Sequence, residues 1–181
     1  MREPESDTTM ILVALGANLP SRFGTPAQTL YAALKAMAER GVWPVQISRI
    51  WKTAPVPFDE TQPWFHNAVA MVETDLEPMA LLNTLLAIEE DFGRVRTVRT
   101  VRNAPRLLDL DLIVYHEKVI REAETLIVPH PRMGDRAFVL MPMCDLLDDW
   151  VHPQSGKTLE QLVALLPDDQ KAEPMENGWD G

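Results

Sequence analysis

The apolar and polar positions of the first half of the chain alternate between strand and helix periods. An apolar run, Met10–Leu15, predicts a buried strand that ends at Gly16-Ala17-Asn18. From Pro26 to Met37 the apolar residues recur at helical spacing, and Thr25 is placed to cap that helix. Alternation from Val45 to Lys52 predicts a second strand.

The second half continues the same two periods. Residues Phe65–Glu73 predict a strand, and a helix begins at Pro78 and ends before Gly93. Clean alternation makes Leu108–Tyr115 the clearest strand. Less regular patterns predict short strands at Val119–Ile120 and Leu126–Val128, a capped helix at Thr158–Leu166, and either helix or strand at Arg136–Leu147.

Several of these strands are too close in sequence for helical crossovers. We therefore expect an α+β fold with an antiparallel or mixed sheet and helices packed mainly on one face. The length of 181 residues fits one domain, which we place at residues 10–166. Residues 1–9 and 167–181 are polar or acidic termini, and residues 168–181 are expected to be frayed.

Composition narrows the class of protein. The formal net charge of −10 argues against a general nucleic-acid binder. The first residues lack the pattern of a signal peptide, and no apolar stretch approaches bilayer length, so we expect no membrane partner. The single cysteine, Cys144, excludes an internal disulfide and fits a cytoplasmic location.

Two carboxylates on the clearest strand are the strongest chemical signal. Asp109 and Asp111 are two residues apart, so their side chains share one strand face. A divalent cation such as Mg²⁺ would relieve their repulsion, although for the pair alone a solvated strand face is the more common explanation. The opposite face is assigned to the core and carries Leu108, Leu110, Leu112 and Val114.

A basic segment precedes this pair. Five of the twelve arginines lie within thirteen residues: Arg94, Arg96, Arg99, Arg102 and Arg106. Guanidinium groups bind phosphate oxygens, so a metal site beside this segment favours Mg²⁺-nucleotide chemistry over pairing with surface carboxylates. Phe65 and Asn67 share a strand face and suit a flat heterocycle, but a core ring beside a turn amide fits equally well.

Several blocks of sequence resemble one enzyme family. They are Ala14–Leu19, Trp51–Pro55, Gln62–Ala68, Phe92–Arg96, Arg102–Asp111 and Val128–Met133. In this order they are similar to 6-hydroxymethyl-7,8-dihydropterin pyrophosphokinase. The resemblance implies a ferredoxin-like fold, usually a monomer, that transfers pyrophosphate from ATP to a reduced pterin and releases AMP in folate biosynthesis.

The resemblance also implies roles for single residues. Asp109 and Asp111 match ligands of two Mg²⁺ ions, and Arg94 and Arg102 match arginines of a catalytic loop. The positions that match contacts to ATP or its phosphates are Glu89, Arg96, Arg106, Leu112, His130 and Arg136. The positions that match the pterin pocket are Thr53, Pro55, Phe65, Asn67 and Phe138.

The sequence departs from some members of the family. Asn103 stands where some have a tryptophan, Phe65 where some have a tyrosine, and the loop is about two residues longer. Two other functions remain open on the residues alone. They are a different Mg²⁺-dependent phosphotransferase, which would not need the pterin pocket, and a binding module without catalysis.

Overall fold

The computed structural model describes residues 10–94 and 105–180. Its strands are β1 (Ile11–Ala17), β2 (Trp43–Ile47), β3 (Trp51–Thr53), β4 (Phe65–Glu73), β5 (Asp109–Tyr115), β6 (Ile120–Glu122), β7 (Leu126–Val128) and β8 (Ala172–Pro174). Its helices are α1 (Pro26–Glu39), α2 (Pro78–Asp91), α3 (Ala137–Cys144) and α4 (Leu159–Ala164), with a 3₁₀ turn at Met133–Asp135.

The main sheet has the βαββαβ arrangement of a ferredoxin-like fold. Its order is β5-β1-β4-β3-β8, and β2 pairs with β4 beside β3. Every pairing in this sheet is antiparallel. The α+β, ferredoxin-like prediction is therefore confirmed.

Core residues cover both faces of the sheet. The long helices α1 and α2 pack on one face with Leu15 and Leu110, as predicted. The short helices α3 and α4 pack on the other face with Leu12. The expectation of helices mainly on one face therefore holds for the two long helices, and the short ones add a second layer.

A β-bulge in β5 explains one error in assigning faces. The register with β1 shifts so that Val13 pairs with Leu112 while Leu12 pairs with Val114, which leaves Ile113 between them. Val114 consequently packs on the α3 side and not with Leu112, contrary to the sequence prediction. Asp109 and Asp111 precede the bulge, so their expected common face is unaffected.

Two strand boundaries also differ from prediction. β1 continues through Gly16 and Ala17, where the sequence suggested a break, because both residues pair with β4. The expected strand Val45–Lys52 is two strands, since residues 48–50 interrupt the ladder between β2 and β3. The uncertain segment Arg136–Leu147 contains the helix α3.

Local signals at the helix starts are confirmed. Thr25 and Gln28 form a capping box at α1, and Thr158 and Gln161 form another at α4. Of the helices in residues 10–94 and 105–180, none combines the length and apolarity needed to cross a membrane.

The C-terminal segment is ordered against the sheet, so the prediction of a frayed tail is wrong. β8 pairs with β3 and places Ala172 opposite Thr53. The indole Nε1 of Trp179 donates to the carbonyl of Ser48 at 2.9 Å. The polar composition of this segment gave no signal for these contacts, because an edge strand can be held by backbone hydrogen bonds without apolar side chains.

Candidate active site

A cavity of about 840 Å³ lies between the sheet, α3 and the β6–β7 hairpin. It brings together most of the predicted site residues. Those lining it are Thr53, Phe65, Asn67, Glu89, Arg94, Arg106, Asp109, Asp111, Leu112, His130, Arg136 and Phe138. Residues separated by up to 85 positions in the sequence therefore share one concave surface, as a ligand site requires.

Asp109 is the centre of an ion-pair cluster in this cavity. Arg94 Nη1 lies 2.6 Å from Asp109 Oδ1, and Arg106 Nη1 lies 2.8 Å from Asp109 Oδ2. Burial opposes ionisation of Asp109, but Arg106 and Arg94 outweigh it and keep its pKa below the ordinary value. Asp109 is thus a carboxylate at neutral pH.

Glu89 on α2 connects this cluster to the strand. Its carboxylate is almost fully buried, accepts a hydrogen bond from the backbone N–H of Leu110 at 2.7 Å, and lies 2.6 Å from Arg94 Nη1. It therefore ties α2 to β5 and holds the Arg94 guanidinium against Asp109.

Asp111 has the opposite surroundings. Burial, together with the negative charges of Asp109 and Glu89, raises the pKa of Asp111 to about 7. Arg136 and Arg106 only partly counter this effect. An acidic group of this kind, beside other carboxylates, is a position where a cation would be stabilised. Nevertheless, no three His, Cys, Asp or Glu side chains in the described ranges are placed to hold a metal by themselves.

His130 and Arg136 border the same carboxylates from the α3 side. The backbone N–H of His130 donates to the carbonyl of Ile113 at 2.9 Å, which fixes the histidine to β5. Burial and the nearby charge of Arg136 lower the pKa of His130 to about 4. Its Nδ1 accepts from the backbone N–H of Arg132 at 3.2 Å, so the neutral ring carries its proton on Nε2.

The β3–β4 side of the cavity presents an amide and aromatic rings. Asn67 Nδ2 donates to Thr53 Oγ1 at 2.7 Å, and both residues are buried. Phe65 from β4 and Phe138 from α3 line the same cavity. This arrangement offers ring faces for stacking and fixed polar atoms for the edge of a heterocycle.

Three predicted site residues are not placed at the cavity. Two of them, Arg96 and Arg102, lie outside the described residues; Asn103, which marked a departure from the family, lies outside them as well. Pro55 is buried and does not line the cavity, whereas its neighbours Ala54 and Val56 do.

Sequence reasoning assigned no role to several residues of this site, and two of them, Gly16 and Gln170, make specific polar or close contacts. Gly16 lies against Asn67, and a Cβ built on it would come within 2.6 Å of Asn67 Oδ1. Gln170 lines the cavity from the C-terminal segment. The glycine within an apolar strand was a usable signal for close packing. A single glutamine in a polar tail carried none.

The chain matches a known family over most of its length. Residues 12–148 match the model of the 7,8-dihydro-6-hydroxymethylpterin-pyrophosphokinase (HPPK) family. The chain belongs to this family. It is therefore a transferase, and its reaction moves pyrophosphate from ATP to hydroxymethyldihydropterin in folate synthesis.

The HPPK region is found both in relatives of similar length and in a much longer protein. The 2-amino-4-hydroxy-6-hydroxymethyldihydropteridine pyrophosphokinase of Haemophilus influenzae is 38% identical over 157 residues, which are 86% of this chain and 92% of the relative. The Synechocystis enzyme of the same name is 38% identical, and the match covers 84% of this chain and 73% of the relative's own length. The folic acid synthesis protein fol1 of Pneumocystis carinii is 36% identical over 92% of this chain, which spans only 21% of that longer protein.

A solved structure supports the fold. The HPPK-DHPS protein of Plasmodium falciparum, solved with pteroate, superposes with a TM-score of 0.66 at 14% identity. The match covers 86% of this chain and 44% of that chain.

Proposed function

We propose that the cavity is the place where this HPPK chain carries out pyrophosphate transfer, and that Asp109 and Asp111 hold Mg²⁺ there. The observation that carries the proposal is the concentration of carboxylates, arginines and aromatic rings on one surface. Asp111, with a pKa raised to about 7 beside Asp109, fits a cation ligand. When bound, Mg²⁺ would neutralise charge on the phosphate oxygens of ATP.

The two sides of the cavity suit the two substrates. Phe65 and Phe138 would stack on the pterin ring while Asn67, fixed by Thr53, reads its polar edge. His130 Nε2–H and the guanidinium groups of Arg106 and Arg136 would hold the nucleotide and its phosphates, with Leu112 beside it. Glu89 would act through Arg94, because its carboxylate already contacts that residue.

The reaction then depends on positioning and charge. The pterin hydroxyl oxygen bonds to the β-phosphorus of ATP, the bond from that phosphorus to the α–β bridging oxygen breaks, and AMP leaves. The hydroxyl proton is released to solvent water during this step. Little covalent work falls to the protein, whose residues align the reactants and balance the developing charge. We propose that Arg96 and Arg102 add positive charge that offsets the charge of the ATP phosphates during transfer.

We further propose that the chain acts as a cytoplasmic monomer that uses two Mg²⁺ ions. The monomer is what the resemblance to the family implies. Light scattering after gel filtration tests the oligomeric state.

The proposed function is tested by incubating the protein with ATP, MgCl₂ and hydroxymethyldihydropterin and following AMP by mass spectrometry. We expect AMP and the pterin diphosphate in equal amounts. ADP in place of AMP would indicate a different phosphotransferase. Binding of both ligands without AMP would indicate a module without catalysis.

A further inference from the structure

The N-terminus of α3 is held by a side chain from the C-terminal segment. Gln170 Oε1 accepts from the backbone N–H of Ala137 at 2.8 Å, and Gln170 Nε2 donates to the carbonyl of Asp135 at 2.7 Å. The two bonds bracket Arg136, which occupies the N-cap position and makes no capping hydrogen bond with its own side chain. One distant amide thus supplies the cap that the local sequence lacks.

Arg136, at the start of α3, is a cavity residue whose contacts depend on the position of the helix N-terminus. It lines the cavity, its guanidinium carbon lies 5.1 Å from the ring centroid of Phe138, and its charge acts on Asp111 and Asp109. Burial is the main influence that lowers its pKa, and the residue is only partly exposed.

The same segment is bonded to the opposite wall of the cavity. The carbonyl of Lys171, next to Gln170, accepts from the backbone N–H of Ala54 at 3.1 Å, and Ala172 pairs with Thr53. The segment therefore fixes α3 relative to β3, although it lies beyond the family-matched residues 12–148.

We propose that Gln170 is a positioning residue that acts through Arg136 to orient it toward the nucleotide phosphates. This inference rests on the proposed function of the cavity. Without Gln170, the backbone of residues 135–137 loses these two hydrogen bonds. The guanidinium group of Arg136 can then shift. A displacement of about 1 Å can lower catalysis by up to roughly 100-fold.

A double-mutant cycle tests this role in the full-length chain. We expect Gln170→Ala to lower kcat/KM for ATP by roughly tenfold or more, with a smaller change in the KM for the pterin. In the Arg136→Ala background we expect the same substitution to lower kcat/KM by less than about twofold, because its effect passes through Arg136. Equal fold-losses in both backgrounds would overturn the proposal, as would unchanged ATP kinetics.

Gln161→Ala is the matched control for a merely structural effect. Gln161 Oε1 also caps a helix, accepting from the backbone N–H of Thr158 at 3.0 Å, but it is exposed and does not line the cavity. We expect its removal to lower the melting temperature without changing ATP kinetics. If Gln170→Ala does not fold, Gln170→Met replaces it in the cycle, because methionine keeps the length of the side chain and removes both hydrogen bonds.

Binding of a non-hydrolysable ATP analogue with MgCl₂, measured by calorimetry, separates this inference from the proposed function. We expect Gln170→Ala to weaken binding of the analogue when Arg136 is present, and to leave it unchanged in the Arg136→Ala background. A wild-type protein that makes no AMP would contradict the proposed function, while unchanged analogue affinity in Gln170→Ala would contradict the positioning role.

Discussion

Asp109 and Asp111 lie on one face of β5, yet their electrostatic surroundings are opposite. Asp109 is bonded to Arg94 and Arg106, and its pKa lies below the ordinary value. Asp111 takes part in no salt bridge within residues 10–94 and 105–180, and burial and its acidic neighbours raise its pKa to about 7. In the absence of a cation, Asp109 is therefore held by the protein while Asp111 is a source of instability when ionised.

Asp111→Asn is expected to stabilise the metal-free protein at high pH. The folded pKa of about 7 exceeds the unfolded value of about 3.9, so the stability linked to protonated Asp111 is full below pH 4 and lost as pH rises through 7. Asparagine removes that loss. We expect the melting temperature in EDTA to rise at pH 8 by at least roughly 2–4 °C, the change that about 1 kcal/mol gives for this chain length, and to change little at pH 4.

Asp109→Asn provides the contrast on the same strand. It removes the partner of two arginines, so we expect a lower melting temperature at pH 8. Both variants are expected to lose AMP formation by orders of magnitude, since the metal would lose a ligand. A stabilised Asp111→Asn variant that keeps near-normal activity would contradict its role as a ligand.

Much of this site could be predicted from sequence because its residues lie in short, regular segments. Strand periodicity placed Asp109 beside Asp111, and Phe65 beside Asn67, before any tertiary contact was known. The resemblance then associated these pairs with His130, which lies in the same cavity.

The contacts that periodicity could not predict involve backbone groups or distant residues. The bulge at Ile113 changes the face of Val114 through one unpaired residue, which no apolar pattern records. β8 is joined to β3 by backbone hydrogen bonds that any polar sequence can make. Glu89 bonds to the N–H of Leu110 across 21 positions, and nothing local in α2 signals that contact.

Glu89→Ala is expected to destabilise the fold by about 3 kcal/mol. It leaves the buried N–H of Leu110 without its acceptor and removes one partner of Arg94, which are both costly changes in a buried site. Urea denaturation measures the loss. Glu90→Ala, at the next and exposed position of the same helix, is the matched control and should change stability little. Similar losses in the two variants would show that the buried contacts of Glu89 contribute nothing.

Arg106→Ala is expected to impair pyrophosphate transfer more than pterin binding. Its guanidinium faces Asp109 at 2.8 Å and lines the cavity with the other phosphate candidates. We expect kcat/KM for ATP to fall by at least 100-fold, with pterin affinity measured by calorimetry within a few-fold of wild type. A defect confined to pterin affinity would count against a phosphate role. Arg132→Ala tests whether any cationic residue lining the cavity has the same effect.

Gly16→Ala is expected to damage pterin recognition and spare ATP. The added Cβ would lie 2.6 Å from Asn67 Oδ1, so the Asn67 side chain must move and its 2.7 Å bond to Thr53 must break or bend. We expect the KM for the pterin to rise roughly tenfold or more while the KM for ATP stays within twofold.

Gly134→Ala is the appropriate control for this prediction. A Cβ there would meet Leu162 Cδ2 at 3.5 Å, an ordinary van der Waals contact, so both KM values should stay near wild type. If Gly16→Ala left the pterin KM unchanged, the amide of Asn67 would not be reading the heterocycle. The added Cβ would meet Asn67 and the backbone of His66. Because the backbone of Gly16 also pairs with Asp109 across β1 and β5, a loss in the pterin KM with an unchanged KM for ATP is the result that separates pterin recognition from an effect on Asp109.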